Sequence, residues 1–158
     1  MRALIFLADD DPLVRALVEL RLGIDGYTVV SVEDGDVALQ RIKGISPVLI
    51  ILDLQMPKVG GLIVLEALAK DRRLDRTPIM MLTASADLTD VKSAAALGVT
   101  AYVLKPFAPD VLANRVKRIL SAPKAVRRPA EAVRNALPTE PQAPDALPPA
   151  SDPVEVHI

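Results

Sequence analysis

Apolar residues fall along this chain in short runs, and the runs alternate with stretches of helical spacing. Ala3–Ala8 is a continuous apolar run, consistent with a strand buried on both faces. Pro12 fits the first turn of a helix, where its missing N–H is no loss. Leu13, Val14, Leu17, Val18, Leu20 and Leu22 then recur with helical spacing until Gly23 and Gly26 interrupt it. Thr28–Val32 reads as a β-branched second strand, and Val37 to Ile42 as a helix with Ala38, Leu39 and Ile42 inward, closed by Gly44. Val48–Leu52 is the most apolar run and therefore predicts the central strand. Leu62, Leu65, Leu68 and Ala69 mark a third helix, and Pro78–Leu82 a fourth strand. Leu88 to Leu97 reads as an alanine-rich helix ended by Gly98, and Ala101–Leu104 as a fifth strand. Asp110 supports the start of a last helix with Val111, Leu112, Val116, Ile119 and Leu120 inward.

Strands and helices in alternation, joined by short loops, call for a parallel sheet covered on both faces. Right-handed crossovers leave few topologies for about 120 residues. The natural choice is an α/β, flavodoxin-like, doubly wound five-stranded sheet of order 2-1-3-4-5 with five helices. Its ligand crevice lies at the carboxyl ends of strands 1 and 3, where the winding direction reverses.

Composition divides the 158 residues near Ser121. Residues 1–121 hold all seven glycines, all four aromatics and six of the fourteen prolines. Residues 122–158 hold the other eight prolines and no glycine, and their apolar residues are short and unperiodic. We therefore expect one domain over 1–121 and a Pro-rich disordered tail over 122–158. Ala130 to Leu137 is a candidate transient helix, too short to be stable alone.

The informative residues are those that follow each apolar run. Asp9 and Asp10 follow the first strand, Asp53 the third, Thr83 the fourth and Lys105 the fifth. Glu33 and Asp34 follow the second, at the sheet edge, where the fold gives no reason to involve them. Asp11 reads as the helix cap ahead of Pro12. Packed carboxylates repel, and without a counterion at least one is driven to protonate. A divalent cation resolves this, and oxygen-only ligands select Mg²⁺ or Mn²⁺ over zinc or copper. Such a site suits a phosphoryl group, because cation and lysine both stabilise its oxygens. A carboxylate held there is a competent nucleophile, and Thr83 is placed to donate its hydroxyl to a phosphoryl oxygen.

Other chemistries are excluded. The chain has no cysteine, and its one histidine is His157, so thiol catalysis, thiolate metal sites and histidine triads are absent. Nineteen basic against twenty acidic residues give no electrostatic footprint for non-specific nucleic-acid binding. No apolar run is long enough for a signal peptide or a membrane span, and we read the chain as cytoplasmic, without a membrane partner.

Leu7-Ala8-Asp9-Asp10-Asp11-Pro12, Leu52-Asp53-Leu54-Gln55-Met56-Pro57 with Gly61, Leu82-Thr83-Ala84 and Lys105-Pro106-Phe107 together closely resemble the receiver domain of two-component response regulators, the CheY-like family. The resemblance runs from about Arg2 to Leu120. It implies that Asp53 is the phosphoacceptor and that Asp10 and Asp53 ligate Mg²⁺ directly. Asp9 would act through a bound water, and the backbone carbonyl of Gln55 would complete the protein ligands. Lys105 would pair with the phosphoryl group, Thr83 would move toward it, and Tyr102 would be the switch aromatic. The Lys105–Pro106 bond would be cis. Gln55 and Ser85 match positions that tune dephosphorylation. One departure is Gly60, where the family is often acidic.

The expected activity is a switch. A sensor histidine kinase or phosphotransfer protein supplies the phosphoryl group, since no histidine in 1–121 can serve as donor. Thr83 and Lys105 then reshape the face built from the fourth helix, fifth strand and fifth helix, which is also a candidate for homodimer contact. With no helix-turn-helix pattern or catalytic module after Leu120, we expect a stand-alone receiver acting on an unidentified protein target, without direct DNA binding. It would be no enzyme beyond its own phosphoryl transfer and autodephosphorylation. Two rivals are a phosphorylation-independent scaffold and an aspartate-nucleophile phosphohydrolase. The second wants another aspartate two residues after the first, where this chain has Gln55.

Overall fold

The computed structural model describes residues 1–84 and 87–123, so Ser85 and the Pro-rich segment lie outside the described residues. Within that range five strands form one parallel sheet of order β2-β1-β3-β4-β5, as expected. They are β1 (Leu4–Ala8), β2 (Thr28–Val32), β3 (Leu49–Asp53), β4 (Ile79–Thr83) and β5 (Ala101–Leu104). The helices are α1 (Pro12–Ile24), α2 (Gly35–Arg41), α3 (Gly61–Lys70), α4 (Leu88–Ala96) and α5 (Pro109–Ser121). Two 3₁₀ turns that the hydrophobic pattern did not separate, Ile42–Gly44 and Arg72–Leu74, follow α2 and α3.

Successive strand residues point to opposite faces, and this divides the core in two. Ile5, Leu7, Leu49, Ile51, Met80, Leu82, Ala101 and Val103 meet Val18 and Leu22 of α1 and Leu112, Ala113 and Val116 of α5. Phe6, Ala8, Ile50, Leu52, Ile79, Met81 and Tyr102 meet α2, α3 and α4 through Ala38, Val64, Leu65, Leu68, Val91 and Ala94. Every residue of β3 is buried, as a central strand requires.

Helix ends follow their capping chemistry. The Asp11 carboxylate accepts from the Leu13 N–H at 2.8 Å, with Pro12 in the first turn. Past α1, Gly26 takes φ 91, a left-handed conformation that suits glycine. In α1 only Val18 and Leu22 are buried, while Leu13, Leu20 and Ile24 stand in solvent. The periodic apolar residues there cover more than one face of the helix. Val111 is likewise exposed rather than inward, and Ala113 takes the core position on α5. Its place in the first turn of α5 accounts for this, because Leu112, Ala113 and Val116 define the buried side.

Candidate functional site

Parallel strands in register deliver their last residues to one edge. Asp53 is level with Leu82 of β4, and Thr83 is level with Leu104 of β5. The Lys105 N–H donates to the Thr83 carbonyl at 2.7 Å, so β4 and β5 hold the lysine beside the threonine. The Lys105–Pro106 peptide is cis, as expected.

The five strand-end residues behave differently. Asp9 is fully buried, Asp53 nearly so, Thr83 is buried, and Asp10 is exposed at the rim. One carboxylate oxygen from each of Asp9, Asp10 and Asp53 lies within 4.8 Å of the others. The Lys105 ammonium stands 2.7 Å from Asp9 Oδ2 and 3.3 Å from Asp53 Oδ2. Asp9 Oδ1 accepts from the Asp11 N–H at 2.9 Å, and Asp53 Oδ1 accepts from the Gln55 N–H at 3.2 Å. Asp9 Oδ2 is buried and is held by the Lys105 ammonium.

The electrostatics follow from burial. Loss of water pushes the Asp53 carboxyl up to about 6, and the Asp9 charge adds to this. Lys105 and the Gln55 N–H oppose the rise without cancelling it. For Lys105 burial disfavours the ammonium, but Asp9 and Asp53 outweigh it and the lysine ends raised. One ammonium cannot neutralise three clustered carboxylates. The residual negative charge of this cluster, with oxygen the only donor type, fits a divalent cation with oxygen ligands.

The loop after β3 is packed tightly against this edge. A Cβ at Gly61 would stand 2.1 Å from the Asp53 carbonyl oxygen, so only glycine lets α3 begin there. Two contacts escaped the sequence reading. Arg15 donates from Nη1 to the Asp9 carbonyl at 2.8 Å, fixing the turn into α1. Asp34 is buried, accepts from the Val37 N–H at 2.8 Å as the cap of α2, and faces Lys58 at 3.5 Å. Asp34 stands apart from the carboxylate cluster, and its partners give it a structural part: it caps α2 and faces Lys58 of the loop after β3. Lys58, at φ 64, was visible only as one lysine in a loop.

Tyr102 lies in β5 with its ring buried and its hydroxyl 3.4 Å from the carbonyls of Asp90 and Val91 at the start of α4. Burial raises its phenol to about 12, and the Asp90 charge contributes. Ser85, the second tuning candidate, lies outside the described residues.

Comparison with known proteins agrees with this geometry. The family model described as Response regulator receiver domain matches residues 5–117. The chain is 40% identical over 116 residues to the probable transcriptional regulator ycf27 of Porphyridium aerugineum, covering 73% of this chain and 47% of that one. It is 36% identical over 117 residues to the DNA-binding response regulator MtrA of Mycolicibacterium smegmatis, covering 74% and 50%. Among solved structures, chemotaxis response regulator CheY4 of Vibrio cholerae superposes with TM-score 0.71 at 29% identity, over 75% of this chain and 99% of that one. A CheY-like receiver domain protein from Methanospirillum hungatei gives TM-score 0.72 at 26% identity, over 76% and 94%. The chain spans about half the length of the curated relatives it matches. Those relatives are named as transcriptional or DNA-binding regulators, so the expectation of a stand-alone receiver without DNA contact gains no support from them. Among the described residues no helix is long and apolar enough to cross a membrane.

Proposed function

This chain belongs to the response regulator receiver domain family, and on that premise we propose that Asp53 is its phosphoacceptor. The observation that carries this is the convergence of Asp9, Asp10, Asp53 and Lys105 on one edge of the sheet. An Asp53 oxygen attacks the phosphorus of an external phosphohistidine on a sensor histidine kinase or phosphotransfer protein. The P–N bond breaks, the imidazole leaves with a proton, and an aspartyl phosphate forms. Asp9, Asp10, Asp53 and the Gln55 carbonyl would hold Mg²⁺ or Mn²⁺, which neutralises phosphoryl oxygens when bound.

Lys105 then exchanges part of its attraction for Asp9 and Asp53 for the new dianion, and Thr83 turns its hydroxyl toward it. Both shifts act on β5, which carries Tyr102 and thus bears on α4. The face formed by α4, β5 and α5 is the output surface, where protein contact or homodimer contact is made. Gln55 and Ser85 set how quickly water regains access to the acyl phosphate. The receiver unit is assigned to residues 1–121, and its setting is the cytoplasm.

The test is intact-mass spectrometry after acetyl phosphate with Mg²⁺, beside Asp53→Asn. One added phosphoryl group on the parent and none on the variant is expected. Equal labelling of both sinks the assignment.

A further inference from the structure

Two clamps hold the turn between β1 and α1, and Asp10 hangs between them. Ahead of Asp10, the Asp9 carbonyl accepts from Nη1 of Arg15 at 2.8 Å. Behind it, the Asp11 N–H donates to Asp9 Oδ1 at 2.9 Å. A peptide unit is planar, so pinning the Asp9 carbonyl fixes the direction in which the chain enters Asp10. Pinning the Asp11 N–H fixes how it leaves. Asp9 is a firm base for both clamps, because it is fully buried and its own N–H donates to the Val32 carbonyl at 3.1 Å. Asp10 is exposed, so close packing does not place its side chain. Its carboxylate nevertheless comes within 4.8 Å of those of Asp9 and Asp53.

Arg15 directs its donor at a carbonyl and not at a carboxylate. Its own backbone is fixed by α1, where its N–H donates to the Asp11 carbonyl at 3.1 Å. The guanidinium thus ties the first turns of a helix to the peptide that carries Asp10 into the cluster. Its charge acts in the other sense, since a cation beside the cluster repels any dication bound there. Loss of the charge alone would tighten dication binding, whereas loss of the clamp would weaken it.

We propose that Arg15 is a positioning residue of the dication site, setting its preference for Mg²⁺ over Ca²⁺ by fixing the Asp9–Asp10 peptide. This rests on the reading of Asp9, Asp10 and Asp53 as carboxylate ligands. Mg²⁺ demands near-octahedral geometry, while Ca²⁺ accepts about six to eight oxygens in a flexible arrangement. A displaced Asp10 therefore penalises Mg²⁺ more than Ca²⁺, and a lost charge affects the two dications alike. Removing a group that orients metal ligands typically weakens binding by roughly 10–100-fold.

The test is a magnetic-resonance titration of amide shifts in the full chain with Mg²⁺ and, separately, with Ca²⁺. It compares the parent with Arg15→Met, Arg15→Lys and Arg21→Met. Arg21 lies on the same helix and pairs with Asp25 and Asp110, neither of them in the cluster, so it controls for loss of an α1 charge. Arg15→Met is expected to weaken Mg²⁺ binding about tenfold and Ca²⁺ binding by less than about threefold, with the Arg21→Met ratio unchanged. Arg15→Lys keeps a donor for this single contact and is expected within about threefold of the parent. The ratio of the two affinities decides, because partial unfolding lowers both alike. An unchanged ratio in Arg15→Met, or tighter binding of both ions, overturns the inference and leaves the carboxylate site standing. So does an Arg15→Lys ratio as low as that of Arg15→Met. A parent that binds neither ion overturns the carboxylate site and this inference together.

Discussion

The Lys105 ammonium stands 2.7 Å from Asp9 Oδ2, closer than it comes to the proposed acceptor. In the resting chain the lysine is thus chiefly the counterion of a fully buried carboxylate. Replacing it by methionine leaves Asp9 and Asp53 buried with no cationic neighbour. A loss of about 3–5 kcal/mol is expected at pH 7, the usual cost of stripping one partner from a buried pair. Urea denaturation checks this, and millimolar Mg²⁺ should restore part of the loss. A variant as stable as the parent would show that solvent already screens the pair.

Asp53→Asn acts in the opposite sense. The carboxyl is raised to about 6 when folded, against an ordinary 3.8, so the folded chain binds the extra proton between those values. Its contribution to stability is therefore greatest below about pH 4 and falls as pH rises through about 6. The amide removes this penalty, and a gain of about 1–3 kcal/mol at pH 7 without divalent cation is expected. Parallel melts at pH 3.5 and pH 7.5 should show the advantage only at the higher pH.

Divalent cation should bind where the carboxylates crowd. Adding Mg²⁺ is expected to raise the melting temperature of the parent at pH 7 and to have little effect on Asp9→Asn, Asp10→Asn or Asp53→Asn. The check is a thermal shift series in Mg²⁺ and Ca²⁺. An unmoved parent would revive the phosphorylation-independent scaffold.

Two glycines should respond oppositely to a methyl group. Gly61→Ala drives a Cβ to 2.1 Å from the Asp53 carbonyl oxygen, while Gly23 has nothing within 4 Å. The first is expected to cost about 3 kcal/mol or more and to slow labelling of Asp53. The second should stabilise by about 0.5–1 kcal/mol through helix propensity. Denaturant midpoints for the two variants test the contrast.

Tyr102 offers a spectroscopic check. Its phenol is raised to about 12 from an ordinary 10, so it stays neutral while the unfolded chain would ionise. The associated stability is present below pH 10 and is lost as pH rises toward 12. Absorbance titration should show a tyrosine ionising near 12 that is missing in Tyr102→Phe. Because the hydroxyl contacts are long, at 3.4 Å, that variant should lose under about 1 kcal/mol.

The sequence was most legible where one physical rule dominated. Runs such as Leu49–Leu52 have to be buried on both faces, so strand order and the carboxyl edge followed directly. Asp9, Asp10, Asp53, Thr83 and Lys105 were singled out because each ends or directly follows an apolar run, and the structure gathers Asp9, Asp10, Asp53 and Lys105 at one edge. Helix facing was less legible. Leu13, Leu20 and Val111 are as apolar as Val18 and Leu112, and composition alone does not say which stripe meets the sheet. Contacts between distant loops were not legible at all. Nothing local in Asp34 or Lys58 announces a pair that is 24 positions apart in the chain.

That same pair gives the outermost crossover a part in placing the loop after β3. Asp34 caps α2 and faces Lys58, while a Cβ at Gly35 would stand 2.1 Å from the Val59 carbonyl oxygen, so the loop leaving Asp53 leans on the rim of the sheet. The turn from β2 into α2, which lies outside the carboxylate cluster, therefore serves as a buttress for that loop. Damage there would be felt as a wandering Asp53 rather than as a missing one.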